Sequence, residues 1–222
     1  MTTSKLVDVT CPCCGATFEA CQVTSSNTFG PLTTDLHSMA GGLEPLLIAV
    51  QACYKCGYAG YLSVFDKDVT VPPDVKAQVL RELAPRTREK PIYPALAYEF
   101  YATLEAWRGA GEIVVGDLFL RAAWCCRMDG PAEDEPKYRR AALERFENAL
   151  AADDATEMNV PVYTYLVGEL HRRLGNDQAA STWYARAGTL VADIPELAWL
   201  GAVIEQQMTD PQEFIDRRGL DM

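Results

Sequence analysis

The pattern of apolar and polar positions changes character along the chain. Through residue 68 the apolar runs are short, broken by Gly, Pro, Ser and Thr, and hold no helical register. Lys5–Thr10, Thr17–Val23, Leu46–Ala52 and Gly60–Phe65 fit short strands there. Residues 69–91 carry Pro72, Pro73, Pro85 and Pro91 and form a connector with room for one short helix, Asp74 to Leu83. From Ile92 onward the period is helical. Leu96, Phe100, Leu104 and Trp107 recur at helical steps. Val115, Leu118, Phe119, Ala122 and Cys126 share a face of the next helix, Ile113–Met128, and Leu120 with Trp124 makes a second stripe, so that helix lies between neighbours. Further helices are predicted over Lys137–Ala152, Pro161–Leu174 and Asp177–Val191, with one after Pro195 and a short one beyond Asp210. Pro161 suits a first helical turn, Gly175-Asn176 a stop and Asp177 an N-cap.

The helical part contains an internal repeat. Ala142, Phe146 and Ala149 return as Ala180, Tyr184 and Ala187, and Leu120, Ala122 and Met128 return as Leu166, Gly168 and Leu174. The spacing of Gly168, His171, Gly175, Ala180, Tyr184 and Ala187 resembles a tetratricopeptide helix pair. Small residues at Gly168, Ala180 and Ala187 let two helices approach, and Tyr184 fills the gap. Only two units are visible, so the flanking helices act as caps; an irregular helical bundle is the alternative. The predicted fold is α+β by segment: a zinc-ribbon-like β domain over 1–68, the connector over 69–91, and an all-α tetratricopeptide-like domain over 92–222.

Composition adds a soluble, globular character. The chain has 222 residues, 49% of them hydrophobic and 23% charged. No apolar stretch approaches the length of a membrane span, and the first residues lack a secretory leader, so a cytoplasmic location without membrane contact is expected. The net charge of −11 opposes a general affinity for nucleic acid and favours protein partners. Residues 1–68 share that acidity, with Lys5, Lys55 and Lys67 as their basic residues.

The chemistry of the first segment lies in its cysteines. Cys11-Pro-Cys-Cys14-Gly15 is matched by Cys53-Tyr-Lys-Cys56-Gly57. A tight turn lets two thiolates reach one ion, and the trailing Gly accepts the left-handed backbone such a turn needs. Two such knuckles supply four thiolates, a closed tetrahedral shell that holds one structural Zn2+ rather than a catalytic one. The 38 residues between the pairs are too many for a finger, which predicts an inserted hairpin or loop. Zinc binding worth roughly 10–16 kcal/mol would fold a segment too small to fold on its own core. A redox dithiol needs one such pair, not two. Cys13 is spare within the first knuckle, Cys21 reads as a buried strand residue, and of the adjacent Cys125 and Cys126 one is expected in the core and the other partly exposed.

Other reactive groups are few. Asp35 and His37 could act as an acid–base pair, but without a nucleophile nearby a loop hydrogen bond is the better reading. His171 falls where a repeat helix carries a packing residue. Arg172 and Arg173 end a helix, where the dipole favours positive charge; the sharper reading places Tyr165, Arg172, Arg173 and Trp183 on a concave surface that takes an acidic tail. No phosphate-binding glycine loop, nucleophile elbow or His-Glu metal motif occurs, so no enzyme activity is expected.

These residues resemble a bacterial family of uncharacterised proteins, domain of unknown function 2225, over nearly the whole length. The resemblance rests on Cys11-Pro-Cys-Cys-Gly-Ala-Thr-Phe18, Thr34-Asp35, Pro45, Cys53-Tyr-Lys-Cys-Gly-Tyr-Ala59, Ala122-Ala-Trp124 and Tyr165-Leu-Val-Gly-Glu-Leu-His-Arg-Arg-Leu-Gly-Asn176. Tyr54 departs from the Pro usual there. The resemblance implies a zinc-ribbon-like head on tetratricopeptide-like helices and no assigned activity. The function expected is that of a zinc-binding adaptor or scaffold for a protein or peptide partner. The alternatives are a nucleic-acid-binding ribbon and a thiol redox switch using Cys13, Cys21, Cys125 or Cys126.

Overall fold

The computed structural model describes residues 2–152, 156 and 159–216. The fold is mixed, with short strands followed by helices, and the chain divides into two compact units. The first comprises Met1–Asn27 and Ala40–Ala142; the second comprises Thr28–Met39 and Leu143–Met222. This division differs from the sequence boundaries at 68 and 91, because the core around the cysteines also takes in Val75, Val79, Leu83, Leu96, Phe100 and Leu104. Apolar surface on the connector and the first long helix thus completes a head that its own strands cannot close.

In the first unit, β1 (Thr3–Thr10) and β2 (Thr17–Ser25) form an antiparallel hairpin that pairs Val9 with Phe18 and Leu6 with Cys21. A second hairpin joins β4 (Val50–Ala52) to β5 (Ala59–Tyr61). Two predicted strands are shorter than their apolar runs. Leu46–Ala49 is instead a helical turn, α1, because Pro45 opens it at φ −64° and its carbonyl accepts from Ile48 N–H at 3.1 Å. Leu62–Phe65 likewise closes into a 3-10 turn after β5.

The connector holds α2 (Pro73–Gln78), with proline in its first turn, running into a π-helical segment, Val79–Leu83, where Ala84 N–H reaches back to the Val79 carbonyl. A short α3 (Arg86–Glu89) follows. The helix α4 (Pro94–Trp107) has two buried faces. Leu96, Phe100 and Leu104 point into the cysteine core, as their period predicts, while Ala95, Tyr98 and Ala102 join the core with α5 (Glu112–Asp129). Both Cys125 and Cys126 lie in that second core, 1% and 2% exposed, so neither is the partly exposed one expected. Helix α5 is covered on both sides, which buries residues 100° apart on its surface.

The division into units falls inside α6 (Glu135–Ala151). In the second unit α7 (Val160–Arg173) packs along α8 (Asp177–Val191), and α9 (Ala198–Thr209) packs on α8. Gly168 serves the close approach: a Cβ there would stand 2.9 Å from the Tyr184 ring. Gly175, at φ +80°, ends α7 as its sequence predicts. The segment between the knuckles contains an inserted hairpin, Thr28–Met39. Gly30 N–H donates to the Met39 carbonyl and Met39 N–H to the Pro31 carbonyl, each at 3.0 Å, and Leu32 bridges Ser38. Its strand β3 (Leu32–Thr33) pairs antiparallel with β6 (Phe214–Ile215). The described tail after Asp210, through residue 216, therefore carries this two-residue strand and no helix; the remainder of the predicted short helix lies outside the described residues.

Candidate metal centre

Each cysteine pair sits in the turn of a hairpin. Cys11 N–H donates to the Ala16 carbonyl at 2.8 Å and Gly15 N–H to the Cys11 carbonyl at 2.9 Å. The second turn repeats this closely: Cys53 N–H to Tyr58 at 2.9 Å and Gly57 N–H to Cys53 at 2.8 Å. Gly15 and Gly57 take φ +74° and +78°, a backbone that side chains strain to adopt. Gly57 is constrained twice, because a Cβ there would come 2.9 Å from Leu83 Cβ and 3.2 Å from the Phe100 ring.

The two turns face each other. The Sγ atoms of Cys11, Cys14, Cys53 and Cys56 all lie within 4.8 Å of one another. Cys11 and Cys56 are 3.7 Å apart, and Cys14 and Cys53 are 3.6 Å apart. Sulfurs on a tetrahedral shell with metal–sulfur bonds of ~2.3 Å stand about 3.8 Å apart. The four sulfurs therefore fit one metal ion. Three are buried, Cys14 is half-buried, and apolar contacts from Tyr58, Phe65, Leu83 and Phe100 wall the site. Arg108 donates to the Tyr58 hydroxyl at 2.8 Å and lies over its ring. Burial of the Tyr58 phenol pushes its pKa up.

Four thiols this close cannot ionise independently. Hydrogen bonds from Cys11 and Cys56 hold Cys53 below the usual thiol range, while bonding to Cys53 pushes Cys11 up and contacts with Cys11, Cys13 and Cys53 push Cys56 up. A cation that replaces the shared protons would satisfy all four sulfurs at once. Cys13 is fully buried beside Cys56, outside the set of four.

The remaining sequence-predicted residues fall elsewhere. Cys21 is half-buried in β2, its N–H donating to Gln51 Oε1 at 3.0 Å. Burial pushes Cys126 up to about 12 and raises Cys125 as well, so both thiols are held protonated. His171, in α7, has Nε2 3.2 Å from Glu147 Oε1 and packs within the second unit. His37 closes a tight turn with Thr33: its N–H donates to Thr33 Oγ1 and its carbonyl accepts from Thr33 N–H, both at 3.0 Å. Leu36 inside that turn adopts φ 65°.

The surface assigned to Tyr165, Arg172, Arg173 and Trp183 needs correction. Tyr165 is 0% exposed and donates its hydroxyl to the Thr34 carbonyl at 2.6 Å. The Arg173 side chain is 3% exposed. The acid these arginines meet is the protein's own. Glu169, fully buried one turn earlier, accepts from Arg173 Nε at 2.6 Å and from Arg172 through Nε and Nη2 at 2.9 Å each. It also accepts from the Tyr184 hydroxyl at 2.6 Å and the Thr34 hydroxyl at 2.5 Å. Both arginines pair with Glu213 too, at 2.9 and 2.7 Å. Hydrogen bonding to Glu169 raises Arg172 well above its usual value, and burial lifts Tyr165 and Tyr184. Trp183 stays half-buried, with Arg186 5.1 Å over its ring. Nothing but the Glu169–Arg172–Arg173 spacing signals this cluster in the sequence, and that spacing also describes an ordinary surface pair.

Fold and site together define a protein with paired cysteine knuckles whose four sulfurs are spaced to hold one metal ion, joined to a helical unit. The chain belongs to a family described as uncharacterized protein conserved in bacteria (DUF2225), whose model matches residues 6–213. No curated protein and no solved structure matches the chain. Among the described residues no helix is long and apolar enough to cross a membrane.

Proposed function

We propose that the protein is a zinc-binding interaction protein of the cytoplasm, in which Zn2+ holds a ribbon-like head and paired, tetratricopeptide-like helices receive a protein or peptide partner. The observation that carries this reading is the meeting of two knuckles with sulfur separations of 3.6 and 3.7 Å. Four thiolates in a closed tetrahedron suit zinc or an iron centre. Cys11, Cys14, Cys53 and Cys56 would hold the ion. Zinc supplies cross-linking there and leaves no open position for a substrate. The small-residue contact of Gly168 with Tyr184 supports the repeat-like helix pair. Between α8 and α9 a cleft of about 450 Å³, walled by Val191, Ile204 and Met208, offers an apolar recess for a partner side chain. Partner contact moves to this cleft and to Trp183, since Tyr165 and Arg173 are buried.

The test is a pull-down from the native host with wild-type protein, Met208→Glu, Trp183→Ala and Glu147→Gln. The reading expects one specific partner retained by wild type and Glu147→Gln and lost by Met208→Glu. A partner that Met208→Glu and Trp183→Ala both retain, or catalytic turnover by the purified protein, contradicts it.

One observation favours nucleic acid as a second reading. Thr87 Oγ1 contacts the Lys55 carbonyl at 3.4 Å, which sets exposed Arg88 near exposed Lys55 and Tyr54, 60% exposed at the knuckle tip. Salt-sensitive binding of a single-stranded probe, weakened by Lys55→Glu, would support it; its absence leaves the first reading. The burial of Cys125 and Cys126 supports either reading over a thiol switch.

A further inference from the structure

The hairpin Thr28–Met39 lies in sequence between the two cysteine pairs, yet it belongs to the second compact unit, while every cysteine of the site belongs to the first. Its neck is clasped within the first unit: Gly41 N–H donates to Asn27 Oδ1 at 2.8 Å, and Asn27 Nδ2 donates to the Gly41 carbonyl at 3.3 Å. Its tip is held in the second unit mainly by polar groups. Thr34 donates to Glu169 and accepts from Arg173 Nη2 at 2.8 Å, its carbonyl takes the Tyr165 hydroxyl, and its N–H reaches the Glu213 carbonyl at 3.1 Å. Asp35, 1% exposed, stands 3.8 Å from Arg173. Leu32 pairs with Ile215 beside these contacts.

A metal joining Cys14 to Cys53 closes the chain segment that contains this strap. Closing a loop restricts where its interior can reach, so it raises the effective concentration of the tip for its buried site. Opening the loop leaves the strap's neck held by the Asn27–Gly41 clasp and no longer by the metal. Buried polar contacts of this kind are all-or-none, because a half-broken network leaves desolvated charge unpaired. Chain connectivity alone therefore links the two events.

We propose that the strap Thr28–Met39 couples occupancy of the four-cysteine site to the docking of Thr34 on Glu169, so that metal loss releases the strap and the β6 strand it pairs with. The helical unit then reports whether the metal is present. This inference rests on the metal-binding reading above. Coupling is reciprocal: whatever loosens the strap must also weaken the hold on the ion.

The experiment uses the full chain, loaded with zinc and verified by metal analysis, in two measurements. Hydrogen exchange is followed with and without EDTA. The proposal expects amides of Thr33–His37 and Phe214–Ile215 to lose protection at least tenfold on zinc removal, while the middle of α8 keeps its own. Zinc transfer to a chromogenic chelator is then timed for Thr34→Val, Thr34→Ser and Glu147→Gln. Thr34→Val is expected to release zinc several-fold faster, and Thr34→Ser, which keeps the hydroxyl, and Glu147→Gln at the wild-type rate. Strap amides unmoved by zinc removal, or Thr34→Val releasing zinc at the wild-type rate, overturn the coupling while leaving the metal site standing. A chain that cannot be loaded with zinc overturns both.

Discussion

Gly168 on α7 faces Tyr184 on α8 so closely that the ring occupies the space a Cβ would need, and the same tyrosine donates its hydroxyl to Glu169 at 2.6 Å. One small residue thus admits the aromatic that satisfies a buried carboxylate.

Gly168→Ala should therefore do more than overpack. It pushes Tyr184 off the ring position that serves Glu169, and a loss of about 1–3 kcal/mol is expected for the steric part alone. Urea denaturation checks this. A variant as stable as wild type would show that the helices separate at little cost.

Glu169→Gln removes the negative charge that Arg172 and Arg173 share while keeping the side chain's shape. Breaking a buried pair on one side costs about 3–5 kcal/mol. Arg81 pairs with Glu82 at 2.7 Å on the surface, 65% and 46% exposed, and Arg81→Ala should cost less than about 1 kcal/mol. Denaturation midpoints of the two variants should separate accordingly.

The glycines after the two knuckles should differ. Both hold a positive φ, but space around Gly15 is open, while Leu83 and Phe100 crowd Gly57. Gly15→Ala should cost about 1–2 kcal/mol for backbone strain, and Gly57→Ala that much plus overpacking. Thermal unfolding of the zinc-loaded variants checks the order; equal losses would refute the crowding at Gly57.

Glu99 gives a pH dependence. Burial alone would raise its pKa, but hydrogen bonds from Lys137 and Arg86 at 2.8 Å and Tyr138 at 2.7 Å outweigh burial and hold it below the usual carboxylate range. A depressed folded-state pKa contributes stability that is fully present above the unfolded value of about 4.3 and is lost as pH falls through the lower folded value. Glu99→Gln should be less stable at neutral pH and should flatten the acid limb of stability against pH. An unchanged acid limb would show that Glu99 is not part of it.

The four-cysteine site was legible because its information is local: two Cys-x-x-Cys-Gly turns specify their own backbone, and only their meeting is long-range. The long helices were legible for the same reason, since Leu96, Phe100 and Leu104 repeat at helical steps whatever surrounds them. Burial is not local. Tyr165 and Arg173 read as a surface because the residue that covers them, Thr34, lies 131 and 139 positions away. The strand at Phe214–Ile215 pairs with Leu32–Thr33 across a still longer gap, and nothing in its own composition outweighs a helical reading. Leu46–Ala49 misled for a different reason: an uninterrupted apolar run has no period, and Pro45 settles it as a turn.

Zinc-edge X-ray absorption of the purified protein tests the central claim most directly. Four sulfur scatterers at ~2.3 Å, with no nitrogen or oxygen in the first shell, are predicted. A shell with fewer sulfurs, or protein carrying no zinc after loading, would contradict it.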